Sequence, residues 1–198
     1  IKYSSNFGAF FFINQTGVLY YAKGDALEGG ITNSLFKTVS IPNGEKIVSL
    51  TRSYAIGENG GIYDMLFEGD SIVVTEVTSI TQDPAYLAIK DQIVEIVAAT
   101  YESEASFIAR MKDGSAYYIS TSFDLPIGLQ HCVDASIVDT TVTSYIFVRP
   151  ISGISNVVDL ATGYFVLSNG TVRAYLATRY AYEDVYKMML ANNNLDRK

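Results

Sequence analysis

Tryptophan is absent from this chain, and cysteine and histidine occur once each, as Cys132 and His131. A single cysteine excludes an intrachain disulfide and a cysteine-based zinc site, and one histidine leaves any transition-metal site to carboxylates, a poor ligand set for zinc. No metal and no cofactor are expected. The two residues are adjacent, so on a strand they point to opposite faces and form no nucleophile–base pair without a bend. A structural role, buried or at an interface, is expected of both. Charge is sparse as well. Charged residues make up 18 % of the 198, with 14 Lys and Arg against 21 Asp and Glu and a formal net charge of −7. No Lys/Arg cluster is present to neutralise phosphates, so nucleic acid is not an expected partner. Acidity of this size aids solubility and repels anionic membranes. No apolar run approaches the roughly 18 residues of a spanning helix, so membrane insertion is not expected. The chain begins at Ile1 without a visible signal peptide, as a mature product or a fragment would.

What is present favours pleated sheet. Apolar residues are 48 % of the chain, with 15 tyrosines and 10 phenylalanines beside frequent Val, Ile and Thr. The length allows one large domain or two small ones, with a core of real size.

Internal similarity organises the rest. Glycine, any residue, an aliphatic residue and usually tyrosine recur at Gly17-Val18-Leu19-Tyr20, Gly60-Gly61-Ile62-Tyr63, Gly114-Ser115-Ala116-Tyr117 and Gly170-Thr171-Val172-Arg173. Turn-forming residues precede each: Asn14-Gln15-Thr16, Glu58-Asn59, Lys112-Asp113 and Ser168-Asn169. Asn-Gly and Asp-Gly pairs suit the positive φ of tight hairpins. Apolar strands are expected upstream, at Phe10 to Ile13, Tyr54 to Ile56, Phe107 to Met111 and Tyr164 to Leu167. The spacing therefore predicts four hairpins turning at Gly17, Gly60, Gly114 and Gly170. A leading strand precedes three of them, at Ile47-Val48-Ser49-Leu50, Ile93-Val94-Glu95-Ile96 and Val157-Val158-Asp159-Leu160. These begin 13, 21 and 13 residues before the turn glycine, which places extra residues of the middle copy in a loop around Ala99 to Ala105. The first copy is expected to lack a leading strand because the chain starts too late. Outer strands are expected at Ser71 to Val77 and Val142 to Val148.

A lone hairpin is marginal in water, so the units must pack side by side, and radial packing of small sheets makes a propeller. The expected fold is all-β, a β-propeller-like array of about four strand-turn-strand repeats with a short C-terminal helix. The repeat domain is placed at 1–180, with units at about 1–45, 46–90, 91–153 and 154–180, and the helix and tail at 181–198. Tyr182, Val185, Tyr186, Met189 and Leu190 lie on one face of that helix, which would cap the last repeat or dock a partner. The aliphatic strand, the glycine-ended turn and the aliphatic-Tyr pair after it resemble the repeats of regulator-of-chromosome-condensation-type propellers. A weaker, compositional resemblance is to the Tyr- and Thr-rich propellers of viral tail and spike proteins. The first resemblance implies a protein-interaction propeller, including an exchange-factor-like role, and the second a virion component.

Candidate chemistry is thin. Carboxylates neighbour one another at Asp64, Glu68 and Asp70, at Glu102 and Glu104, and at Glu183 and Asp184. Glycoside hydrolysis needs two of them about 5–10 Å apart across a cleft, and nothing in the sequence sets such a pair. A calcium site at Glu68-Gly69-Asp70 would lack EF-hand spacing. The pairs Gly29-Gly30 and Gly60-Gly61 have no lysine-serine/threonine at phosphate-loop spacing and read as turns. Asn14-Gln15-Thr16 and Asn169-Gly170-Thr171 fit the N-glycosylation pattern but overlap turns. The aromatic surplus is the remaining lead. Tyr20, Tyr21, Tyr63, Tyr117, Tyr118, Tyr175, Tyr180 and Tyr182 gather after the turns. In each pair one ring should face the core, and Tyr21, Tyr63, Tyr118, Tyr180 and Tyr182 are the candidates for partner contact. No enzyme is expected. The expectation is a non-catalytic structural or receptor-binding component of a virion or extracellular assembly, contacting other subunits, a surface receptor or a glycan. The alternatives are a lectin-like propeller and a cytoplasmic protein-interaction propeller.

Overall fold

Short apolar strands separated by glycine-ended turns fold into four small antiparallel sheets, and within each sheet every strand pairs with its neighbour in sequence. The computed structural model describes residues 2–6, 9–23, 36–51, 53–69, 71–100, 105–122, 125–130, 132–133 and 146–175. The first sheet comprises β1 (Lys2–Asn6), β2 (Ala9–Ile13), β3 (Leu19–Lys23) and β4 (Lys37–Thr38). The second comprises β5 (Ile47–Thr51), β6 (Tyr54–Gly57), β7 (Ile62–Glu68) and β8 (Ser71–Glu76). The third runs β9 (Ile93–Ala98), β10 (Ser106–Met111), β11 (Ala116–Ser120) and β12 (Phe147–Pro150), and the fourth β13 (Val157–Ala161), β14 (Tyr164–Leu167) and β15 (Val172–Ala174). The chain divides into two compact units, Ile1–Asp91 and Gln92–Lys198, each holding two sheets. In the first unit, Phe11, Leu19 and Tyr21 pack with Ile47, Tyr63 and Met65. In the second, Ile108 and Tyr118 pack with Val157, Leu160 and Phe165.

Two expectations are corrected. The first sheet does have a leading strand, since β1 pairs with β2 from Lys2↔Ile13 to Asn6↔Ala9. Its sequence, Lys-Tyr-Ser-Ser-Asn, lacks the aliphatic pattern of the other leading strands. Two helices also follow β8, α1 (Thr78–Thr81) and α2 (Pro84–Ile89). Asp83 caps α2 by accepting from the Ala85 and Tyr86 amides, and Pro84 supplies the φ of a first helical position. Elsewhere the extra residues of the third sheet do fall between β9 and β10, and the outer strands are β8 and β12. Residues 142–145 and the helix expected at 181–198 lie outside the described residues.

All four turns share one geometry. The glycine amide bonds back to the carbonyl three residues earlier, and that residue's amide bonds forward to the carbonyl after the glycine. Gly17, Gly60, Gly114 and Gly170 hold φ of 83°, 88°, 80° and 83°, the left-handed residue that ends a type I turn with a bulge. The residue before the glycine is not itself left-handed. Asp113 and Asn169 instead accept from the amides of Ser115 and Thr171 through their side-chain oxygens.

Within each unit, the turn of the first sheet also anchors the second. The Ile47 amide donates to the Gly17 carbonyl at 2.9 Å, and the Val157 amide to the Gly114 carbonyl at 2.9 Å. Immediately beyond, the leading strand bulges. Ile47 and Ser49 pair with Gly57 and Ile56, which leaves Val48 as the extra residue. The same count leaves Val94 extra in β9 and Val158 extra in β13. A bulge bends its strand and re-aims a side chain, and these valines are 48, 49 and 49 % exposed.

The anchoring chain passes close over the glycine. A Cβ on Gly114 would lie 3.1 Å from the Asn156 Cα, whereas one on Gly170 would meet nothing within 4 Å. Both substitutions place alanine in the left-handed region at a cost of about 1–2 kcal/mol. Gly114→Ala should therefore destabilise the second unit by at least about 1 kcal/mol more than Gly170→Ala. Paired urea titrations measure the difference, and equal losses would show that the close approach carries no cost.

Candidate functional site

In the first hairpin alternation sends one set of side chains inward and the other out, whereas β6 and most of β10 are buried on both faces. Leu19 and Tyr21, and Ala116 and Tyr118, are the inward set, two and four residues beyond their glycines. Tyr21, Tyr63 and Tyr118 are only 5, 1 and 1 % exposed. These three rings belong to the core, and their burial removes the surface that partner contact requires. Their neighbours Tyr20 and Tyr117 are half-buried and face the other way. The Tyr118 hydroxyl shares a buried hydrogen bond of 2.8 Å with Ser106 Oγ. Tyr180, Tyr182 and His131 lie outside the described residues.

Tyr63 belongs to a polar cluster that the sequence reading missed. Glu45 follows a 3-10 turn at Pro42–Gly44, and its carboxylate accepts the Asn59 amide at 2.6 Å and the Tyr63 hydroxyl. A Cβ on Gly57 or on Gly61 would overlap that carboxylate. These glycines therefore serve as volume for a buttress inside the second hairpin, and neither has positive φ. The Tyr86 hydroxyl completes the cluster by donating to the Gly60 carbonyl at 2.7 Å. Burial, then the Glu45 hydrogen bond and charge, hold the Tyr63 hydroxyl well above the usual tyrosine range. Burial and the Glu45 charge do the same for Tyr86. The hydrogen bonds of Glu45 tie the loop before β5 to the β6–β7 turn.

The outward side of the first hairpin is aromatic. Phe10 is 46 % exposed, and Phe12, Tyr20 and Phe36 are half-buried beside it. Phe12 and Tyr20 stack with ring centres 5.0 Å apart and planes 7° from parallel, while Phe36 meets Phe12 edge-on at 4.9 Å. The alternation of Phe10-Phe11-Phe12 was the available signal, with Phe11 inward and its neighbours out. At the turn of this hairpin lies an open cleft of about 620 Å³, walled by Ile13, residues 14–17, Lys46, Ile47, Val48 and Glu58. Lys46 and Glu58 approach to 3.7 Å at its rim, and both are exposed. An apolar wall beside amide, ammonium and carboxylate groups suits a small polar ligand.

Asp64 and Glu68 stand four residues apart on β7, roughly 13 Å along an extended strand, too far for the two-carboxylate mechanism. Burial pushes the Asp64 carboxyl up from its ordinary value. Asp70, Glu102, Glu104, Glu183 and Asp184 lie outside the described residues. Among the described residues, no three His, Cys, Asp or Glu side chains gather as a metal-binding group, and no helix is long and apolar enough to cross a membrane. No protein-family model and no curated protein matches the sequence.

Glu45→Gln puts an amide where two donors converge and should lower stability by about 1–2 kcal/mol, read as a shift of the urea midpoint. The raised Tyr63 and Tyr86 values set a second test. A folded pKa above the unfolded value of about 10 contributes stability that is complete below pH ~10 and lost as pH climbs beyond it. The unfolding free energy should therefore fall above pH ~10, less steeply in Tyr63→Phe than in wild type. Parallel slopes in the two proteins would remove Tyr63 as a cause.

Proposed function

We propose that this chain is a non-catalytic binding and structural module of β-propeller-type repeats, a structural or receptor-binding component of a virion or other extracellular surface assembly. The carrying observation is the valine at each leading-strand bulge. Val48, Val94 and Val158 occupy the same place in three sheets and all stand about half exposed. Isolated surface valines need no explanation, but repetition at one backbone position favours contact with a partner. The aromatic outward side of the first hairpin adds apolar area of the kind found at interfaces. The repeated turn, and the anchoring in each unit of the second sheet on the turn of the first, support blades of propeller type.

A second reading, carbohydrate binding, is favoured by the cleft at the first turn, with its apolar wall and polar rim. A glycan array that lights up with wild type and dims with Glu58→Ala would support it, and a silent array would remove it.

Native mass spectrometry of the full chain tests the first reading. The expected result is a discrete homo-oligomer at micromolar concentration. A chain that stays monomeric throughout would count against an assembly subunit.

A further inference from the structure

We infer that β8 is an assembly edge that pairs antiparallel, backbone to backbone, with β8 of a second copy of this chain. The inference rests on the assembly reading above and names the surface that would serve it.

Among the described residues each sheet ends on an outer strand, and an outer strand is a template for pairing unless something blunts it. In three sheets something does. β4 has two residues, one of them Lys37, β12 carries Arg149 and Pro150, and β15 has three residues centred on Arg173. β8 has six residues, Ser-Ile-Val-Val-Thr-Glu, without lysine, arginine, proline or glycine, and none of them is buried.

The ladder fixes which of its backbone groups point outward. The Val77 amide donates to the Ile62 carbonyl at 2.8 Å, continuing the register in which Tyr63 faces Glu76 and Leu66 faces Val73. Bonded and non-bonded pairs alternate in an antiparallel ladder. Ser71, Val73 and Thr75 therefore bond to β7, while Ile72, Val74 and Glu76 direct N–H and C=O away from the sheet.

Charge sets the direction in which a second copy pairs. Glu76 is the only charged residue of β8, and its carboxylate already accepts the Thr81 hydroxyl at 2.7 Å. In-register parallel pairing would set the two Glu76 carboxylates about 5 Å apart. Antiparallel pairing about Val74 instead sets Glu76 opposite Ile72 of the second copy. The two carboxylates are then separated by four residues, roughly 14 Å along the strands, beyond the screening length of about 8–10 Å. The pairing is self-complementary and closes on a twofold axis. Leu66 and Val73 face each other across β7 and β8, 48 and 36 % exposed. In this register Val73 lies beside Thr75 of the second copy and diagonal to its Val73, so the apolar strip continues across the axis.

Sedimentation velocity of the full chain over a concentration series, with two variants, tests the pairing. Val74→Pro removes an N–H that points away from β7, so it costs the protein no ladder bond of its own. Val73→Lys leaves the backbone intact and places charge beside the axis. The expected result is an even-numbered wild-type oligomer whose mass halves in both variants, with at least tenfold weaker association and unchanged far-ultraviolet dichroism. Hydrogen exchange of wild type supplies a readout that needs no variant. The Ile72 and Val74 amides should gain protection as concentration rises, while the Val73 amide stays protected throughout. An oligomer unaffected by Val73→Lys and by Val74→Pro would overturn the edge and leave the assembly reading standing. A monomeric wild type would overturn both. Protection of Ile72 and Val74 that ignores concentration would mean that the chain covers this edge itself, and would also overturn the inference.

Discussion

One backbone hydrogen bond organises the junction between the two sheets of each unit: the first amide of the later leading strand donates to the carbonyl of the earlier turn's glycine. It is seen from Ile47 to Gly17 and from Val157 to Gly114. That carbonyl is presented by a left-handed residue, and the incoming chain passes so near that a side chain there would collide with it. Having made this bond, the strand must still turn into its own sheet. The bulge at Val48 or Val158 absorbs the change of direction and leaves the valine facing outward. In these two strands the anchored amide and the exposed valine stand side by side.

The second turn meets a different demand. Its glycines make room for the Glu45 carboxylate, which satisfies an amide of the turn and a buried tyrosine hydroxyl together. A carboxylate accepting two hydrogen bonds in a confined place resists substitution, because each donor it leaves behind is left without its partner. Tyr86, delivered by a short helix with a proline start, donates to the carbonyl of Gly60 in the same turn.

The hairpins were legible in the sequence because turn chemistry and strand alternation agree there, as at Lys112-Asp113-Gly114 followed by Ala116 and Tyr118. The leading strand of the first sheet was not, because Lys2–Asn6 carries none of the aliphatic signature of Ile47–Leu50. The short helices were legible in principle, since Asp83-Pro84 is a helix-start pair. For the tyrosines, alternation gives the period of a strand but not its phase. Choosing Tyr21 and Tyr118 over Tyr20 and Tyr117 inverted inside and outside. Glu45 had no local signature at all, because the groups that define its role lie 14 and 18 residues away. The aromatic side of the first hairpin shared that ambiguity of phase until Phe11 was seen to face inward.

The meander topology also bears on how the chain reaches its folded state. Every ladder joins strands adjacent in sequence, so most pairings close over a short stretch of chain and require little loop-closure entropy. Such local topologies fold faster than sandwiches whose sheets exchange strands across the whole sequence. Two pairings depart from this, β4 with β3 and β12 with β11, where the chain travels from Lys23 to Lys37 and from Ser120 to Phe147 before returning. In both sheets, then, the outermost pairing closes the longest stretch of chain and carries the largest closure entropy.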